Sequence, residues 1–196
     1  MNGFFSRMLL VALTAAPMLL QAGPPAASTT VKLDEAHLIR QLQSPDSDKV
    51  LEALDKLGHD YPQSTNAVPA IIDLLKERPV RRWAARALGD RHVELSPDDL
   101  KLVFILLRSP DRNECMDGLK TLRDLKEPDS LRPAMTGEIT PLLHDSEVHI
   151  VRDACRTLAM VGTKDAVPLL EPLLHHPRAD VRQDAGDAIT ALSAGH

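Results

Sequence analysis

The chain has 196 residues, a net charge of −5 and only five aromatic side chains. That length suits one domain with a real core, and the acidic balance argues against general binding of polyanions, so no nucleic acid is expected as a partner. Apolar residues are mostly Leu, Ala and Val, with Tyr61, Trp83 and Phe104 the aromatics beyond the N-terminus. This composition fits closely packed helices far better than a β-sandwich.

The first element in chain order is not part of a fold. Arg7 gives a short positive start, Met8 to Leu20 is an apolar run, and small residues follow, with Ala22 as the expected last residue before cleavage. The pattern predicts a secretory signal over residues 1–22, with an apolar run too short to span a bilayer. The segment "GPPAASTT" opens a flexible Pro/Ser/Thr linker over residues 23–33. The repeat domain is expected over 34–194, in a protein that is periplasmic or secreted and does not span a membrane.

From residue 34 onward the chain repeats itself. "QSPDSDKVLEAL" and "RSPDRNECMDGL" share Ser-Pro-Asp, an apolar residue after three polar ones, and a Leu four places later. Ser, Pro and an acid in that order predict a helix start: a side-chain cap, a proline in the first turn, and a carboxylate near the positive helix end. Aligning these with "VRRWAARAL", "VRDACRTL" and "VRQDAGDAI" gives five anchors, Val50, Val80, Cys115, Val151 and Val181, separated by 30, 35, 36 and 30 residues. Four residues on stand Leu54, Ala84, Leu119, Cys155 and Ala185. Seven on stand Leu57, Ala87, Leu122, Leu158 and Ala188. Offsets of zero, four and seven fall on one helical stripe.

Before each anchor helix runs another apolar segment: "AHLIRQL", "AVPAIIDLLK", "LKLVFILLR", "EITPLLH" and "AVPLLEPLLH". They end in Gln43, Lys76, Arg108, His144 and His175, and a cation there opposes the negative helix end. The predicted unit is helix, turn, helix. One such pair cannot bury its stripe alone, so neighbours must stack into a continuous core. The fold class is therefore all-α: a right-handed α-solenoid of about five stacked helical hairpins.

The units resemble HEAT repeats, in the short bacterial form also found in phycobilisome-lyase-like proteins. "KDAVPLLEPLLHHPRADVRQDAGDAI" and "NAVPAIIDLLKERPVRRWAARALG" carry the family's Ala-Val-Pro entry and its Val-Arg-x-x-Ala continuation. Leu51 and Met116 replace the arginine in the first and third units, and Cys155 replaces an alanine in the fourth. The resemblance implies a HEAT-like solenoid over 34–194 and says little about function, since such repeats serve many partners. Some enzymes share the architecture. The di-iron hydroxylase type needs His-Glu dipeptides, which this sequence lacks, and no residue set marks a chromophore pocket. There is no glycine-rich phosphate loop, His-x-x-x-His or Cys-x-x-Cys. No catalytic residue, cofactor or metal ligand is assigned.

Cys115 and Cys155 fall in neighbouring units but different rows, which predicts two buried thiols rather than a disulfide. His144, His149, His175 and His176 crowd one edge; they are expected to serve helix ends, with a metal or small-ligand site as the competing reading. Arg78, Arg82 and Arg86 follow an i, i+4, i+8 spacing that predicts a basic stripe. Row alignment places Arg82 between Glu52 and Asp117 in an inter-repeat ion-pair ladder, with Arg81, Arg152 and Arg182 in similar roles. Trp83 either fills a gap between repeats or projects into the groove.

Arg78, Arg82, Trp83 and Arg86 are the predicted partner-binding residues, because Trp beside Arg is a common hot-spot pairing. The expected function is an exported, non-enzymatic scaffold with a protein or peptide on its concave face. The alternative is an accessory subunit or assembly factor of an envelope complex. The Ala-rich last helix, "DAGDAITALSAGH", is expected to lack a polar outer side and to offer a surface for self-association.

Overall fold

The computed structural model describes residues 34–126 and 129–194. The predicted signal and linker, residues 1–33, lie outside the described residues. Among the described residues ten α-helices follow one another: α1 (Glu35–Gln41), α2 (Ser47–Asp60), α3 (Val68–Leu74), α4 (Arg81–Gly89), α5 (Pro97–Leu107), α6 (Arg112–Asp124), α7 (Arg132–Ile139), α8 (Val148–Val161), α9 (Val167–Leu170) and α10 (Ala179–Ala194). They pair as five antiparallel hairpins in a stacked α-solenoid, as the repeat pattern predicts. No helix among the described residues is long and apolar enough to cross a membrane.

The even-numbered helices form one layer. α4 packs on α6, α6 on α8 and α8 on α10, while the odd-numbered helices touch one another only lightly. The even layer is therefore the tighter, inner face of the stack. All five anchors are buried, as are the rows four and seven residues on. A single continuous hydrophobic core runs from Leu38 to Leu192, as expected where each hairpin buries its stripe only against its neighbours.

Prolines reshape two outer arms that the periodicity reads as plain helices. α7 ends at Ile139 and continues as 3-10 structure over Thr140–His144, and α9 ends at Leu170 and continues over Glu171–His175. Pro141 and Pro172 lack the N–H that an α-helix needs and crowd the preceding turn.

The Ser-Pro-Asp starts work differently from expectation. At 44–46 and 109–111 the aspartate, not the serine, is the cap. Asp46 accepts from the Asp48 N–H at 3.0 Å, and Asp111 from the Asn113 N–H at 2.8 Å. Each serine sits two residues back, accepting from the N–H of that aspartate. Only at Ser96-Pro97-Asp98 does the serine cap, accepting from the Asp99 N–H at 3.2 Å with Pro97 opening the helix. The proline belongs to the connecting turn in the first two cases and to the helix in the third.

Candidate functional site

The inner face opens between α2 and α4, which touch far less than the even-numbered pairs that follow them. The opening is a groove of about 570 Å³ lined by Leu51, Leu54, Asp55, Gly58 and His59 from α2 and by Trp83, Arg86, Ala87, Asp90 and Arg91 from α4 and its end. Leucine and alanine floor it because they carry the repeat stripe. Gly58 widens it, since a Cβ built there meets nothing within 4 Å.

Trp83 is 39% exposed and lines this groove. Of the two readings open from the sequence, projection into the groove is the one realised. Its row holds small residues in the neighbouring units, but the gap between α2 and α4 leaves the ring uncovered. The Arg82 and Arg86 guanidinium carbons lie 5.1 and 5.4 Å from its ring centre. At an exposed site each such contact is worth about 0.5–1 kcal/mol.

The predicted basic stripe is shorter than expected. Arg78 lies exposed in the turn before α4, so only Arg82 and Arg86 share the helix. Arg82 donates to Asp117 of the next repeat at 2.7 Å, as row alignment predicts. Its other expected partner is engaged elsewhere: Glu52 pairs with Lys56 one turn on, and that contact holds the Glu52 carboxyl below its ordinary range. An i,i+4 partner on the same helix is always within reach, whereas α2 and α4 have separated.

The three Val-Arg arginines divide. Arg81 donates to the carbonyls of Leu75 and Lys76, and Arg182 to those of His176 and Pro177. Both therefore cap the outer arm of their own hairpin, which corrects the ladder role expected for them. Arg152 does cross between repeats. It meets Asp184 at 2.6 Å and Asp180 at 3.1 Å, and Arg156 meets Asp184 at 3.0 Å. Arg178 is the main reason the Asp180 carboxyl sits far below its ordinary range, with Arg152 adding to it. On the inner face of the last two repeats, Arg152 and Arg156 thus converge on Asp184 across the repeat interface.

Arg91 departs from that pattern, and sequence reasoning missed it. Its Nη1 donates to the Ala87 carbonyl at 2.8 Å, but Nε and Nη2 are buried without a hydrogen-bond partner. Burial pushes its guanidinium below the ordinary value, opposed by the charges of Asp90 and Glu35. It lies just past the Val-Arg-x-x-Ala frame, where the repeat alignment carries no information.

Both thiols are free and buried, as predicted. The Cys115 thiol donates to the Leu107 carbonyl at 3.6 Å. Burial pushes Cys115 up to about 11 and Cys155 to about 12, from an ordinary 9.0. Folding thus favours the neutral thiols. Their contribution is intact below pH 9 and is lost as pH rises toward the folded values, because the unfolded chain ionises first. At pH 10 the two together should cost roughly 3 kcal/mol of stability. Urea titrations at pH 8 and pH 10 check this: the double Cys→Ala variant should lose most of that alkaline slope, and an unchanged slope would refute the assignment.

The histidine edge does not assemble. His176 Nδ1 accepts from the Arg178 N–H within its own turn, and no group of three or more His, Cys, Asp or Glu side chains among the described residues could hold a metal ion. The outer side of α10 is also more polar than expected, with Arg182, Gln183 and Thr190 exposed. Exposed apolar side chains at that end belong instead to the outer arm, at Leu169 and Leu174.

Comparison with known proteins agrees with this architecture. Residues 118–190 match the family model for HEAT repeats. The phycocyanobilin lyase subunit alpha of Nostoc sp. (strain PCC 7120) is 28% identical over 171 residues, covering 79% of this chain and 61% of the relative. The chain thus spans about three fifths of that relative's length. Among solved structures, the complex of CpcE and CpcF of phycocyanin lyase from Nostoc sp. PCC7120 superposes with a TM-score of 0.66 at 24% identity, over 94% of this chain and 71% of that one. An engineered protein superposes with a TM-score of 0.64 at 21% identity, over 83% and 81%. Residues 118–190 thus match HEAT repeats, and the five stacked hairpins on one spine carry the same architecture through the rest of the described residues.

Proposed function

We propose that this protein is a non-enzymatic scaffold that holds a protein or peptide on its inner face, and that it does so after export, in the periplasm or outside the cell. The observation that carries the reading is the groove between α2 and α4, where an exposed Trp83 stands between two arginines above a floor of leucine and alanine. Farther along the inner face, Arg152 and Arg156 are taken up by Asp184 across the last repeat interface. A rigid surface with one aromatic anchor and cationic neighbours is what a binding hot spot needs. The absence of an enzymatic role is inferred from the same chemistry: both thiols are buried and neutral, and the inner carboxylates of the last repeats are held by arginines. The solved CpcE and CpcF complex shows this architecture in a protein that pairs with another. Export is inferred from Arg7 and the apolar run Met8 to Leu20.

A photo-crosslinking amino acid tests the scaffold reading in cells. Placed at Trp83 or Met160, on inner helices α4 and α8, it should give a discrete adduct with another protein. Placed at Ile105, on outer helix α5, it should not. Trp83→Ala should weaken the Met160 adduct several-fold while leaving helix content unchanged. Equal labelling from both faces would defeat the reading. Fractionation with N-terminal sequencing tests export, with a new terminus at Gly23 expected.

A second reading rests on Leu169 and Leu174, exposed on the last outer arm. In an accessory subunit these would seat against another chain, and gel filtration would then show a larger species that Leu169→Glu dissociates.

A further inference from the structure

The groove between α2 and α4 is unevenly charged. Asp90 is engaged by Lys120 at 3.3 Å, and Asp55 stands on the α2 rim. On the α4 side, Arg86 stacks on Trp83 and has no carboxylate partner among the described residues. Arg91 keeps two N–H groups unspent. Nε and Nη2 share one edge of the planar guanidinium, and their N–H bonds run parallel, spaced for the two oxygens of one carboxylate. Leaving that edge buried and unpaired is unfavourable. Turning it out to meet an anion gives up at most the Nη1 bond to the Ala87 carbonyl, and a bidentate carboxylate returns two. Beside it are Trp83 and the leucine floor, which accept an apolar side chain.

We propose that the groove binds an acidic peptide segment, one whose Asp or Glu side chain is received by Arg86 and Arg91 while an adjacent apolar side chain lies against Trp83. Charge complementarity selects this occupant: a basic segment would bring like charge against both arginines, and a purely apolar one would leave the Arg91 edge unpaired. Gly58 keeps the opposite wall bare where any larger residue would reach into the occupant's path. This inference rests on the scaffold reading and specifies the chemistry of its partner.

The test uses a phage-displayed random dodecapeptide library on the immobilised full chain, then anisotropy with the enriched peptides. Enriched sequences should place Asp or Glu beside an aromatic or aliphatic residue. Replacing that acid by its amide should weaken binding at least 10-fold, and so should Arg86→Met combined with Arg91→Met. Gly58→Trp should block binding while the thermal transition stays in place, and Arg108→Met, outside the groove, should bind normally. Enriched peptides without an acid, or indifferent to Gly58→Trp, overturn the inference. An empty selection overturns it too. The scaffold reading stands separately, on the crosslinks from Trp83 and Met160.

Discussion

Replacing Leu119 with alanine is expected to lower the unfolding free energy by about 3 kcal/mol, within the range for emptying a fully buried leucine site. Leu119 is completely buried in α6, the inner helix of the third hairpin. α6 packs against α4 on one side, α8 on the other, and α5 behind, so the cavity cannot collapse from a free surface. The consequence should also spread along the stack. Each hairpin holds only its neighbours, so cooperativity passes through every interface in turn. A lesion at the centre should weaken the link between the first two repeats and the last two, broadening the urea transition as well as moving it. Leu192→Ala, in α10, the last described helix of the stack, should shift the midpoint less and leave the slope intact. Far-UV circular dichroism against urea measures both. A loss below about 1 kcal/mol at Leu119, or identical behaviour of the two variants, would refute the single-spine account.

The spine was legible because it depends only on spacing. Val50, Val80, Cys115, Val151 and Val181 recur at separations that vary by six residues, yet all five end up inside, because the loops absorb the difference. The same row logic found Arg82 with Asp117. It failed at Arg81 and Arg182, which turn back to carbonyls of their own hairpins, and although Arg152 crosses between repeats as expected, its partners Asp180 and Asp184 lie in other rows, one before and one after the anchor level. A long side chain reaches across rows, and alignment by backbone position cannot see that. The groove was half legible: Trp83 and Arg86 stood out by type, but Arg91 and Gly58 did not. Both owe their importance to the separation of α2 from α4, a packing outcome with no local sequence signal. Proline effects were visible as letters and misread in consequence. Pro141 and Pro172 convert the outer arms to 3-10 structure, whereas Pro97 simply opens α5.

Two glycines on inner helices should respond to substitution with opposite signs. Gly118 in α6 lies against α5. A Cβ there would stand 2.9 Å from the Leu106 Cβ and 3.1 Å from the Leu107 Cδ2. The Leu107 methyl can rotate aside, but the Leu106 Cβ is fixed to its backbone, so α5 and α6 must separate. Alanine would gain up to about 1 kcal/mol of helix preference and lose about 1–3 kcal/mol to overpacking, a net loss. Gly118→Leu leaves no arrangement that keeps the hairpin closed, and it is expected to abolish the cooperative transition. Moving α5 away would also break the Cys115 thiol contact with the Leu107 carbonyl, so thiol reagents should reach Cys115 in that variant and not in the parent. At Gly58 in α2 a new Cβ meets open space, and Gly58→Ala should therefore gain up to about 1 kcal/mol. Thermal unfolding of the three variants decides the matter: a stable, protected Gly118→Leu protein would mean that the close approach of α5 and α6 is not what holds the third hairpin shut.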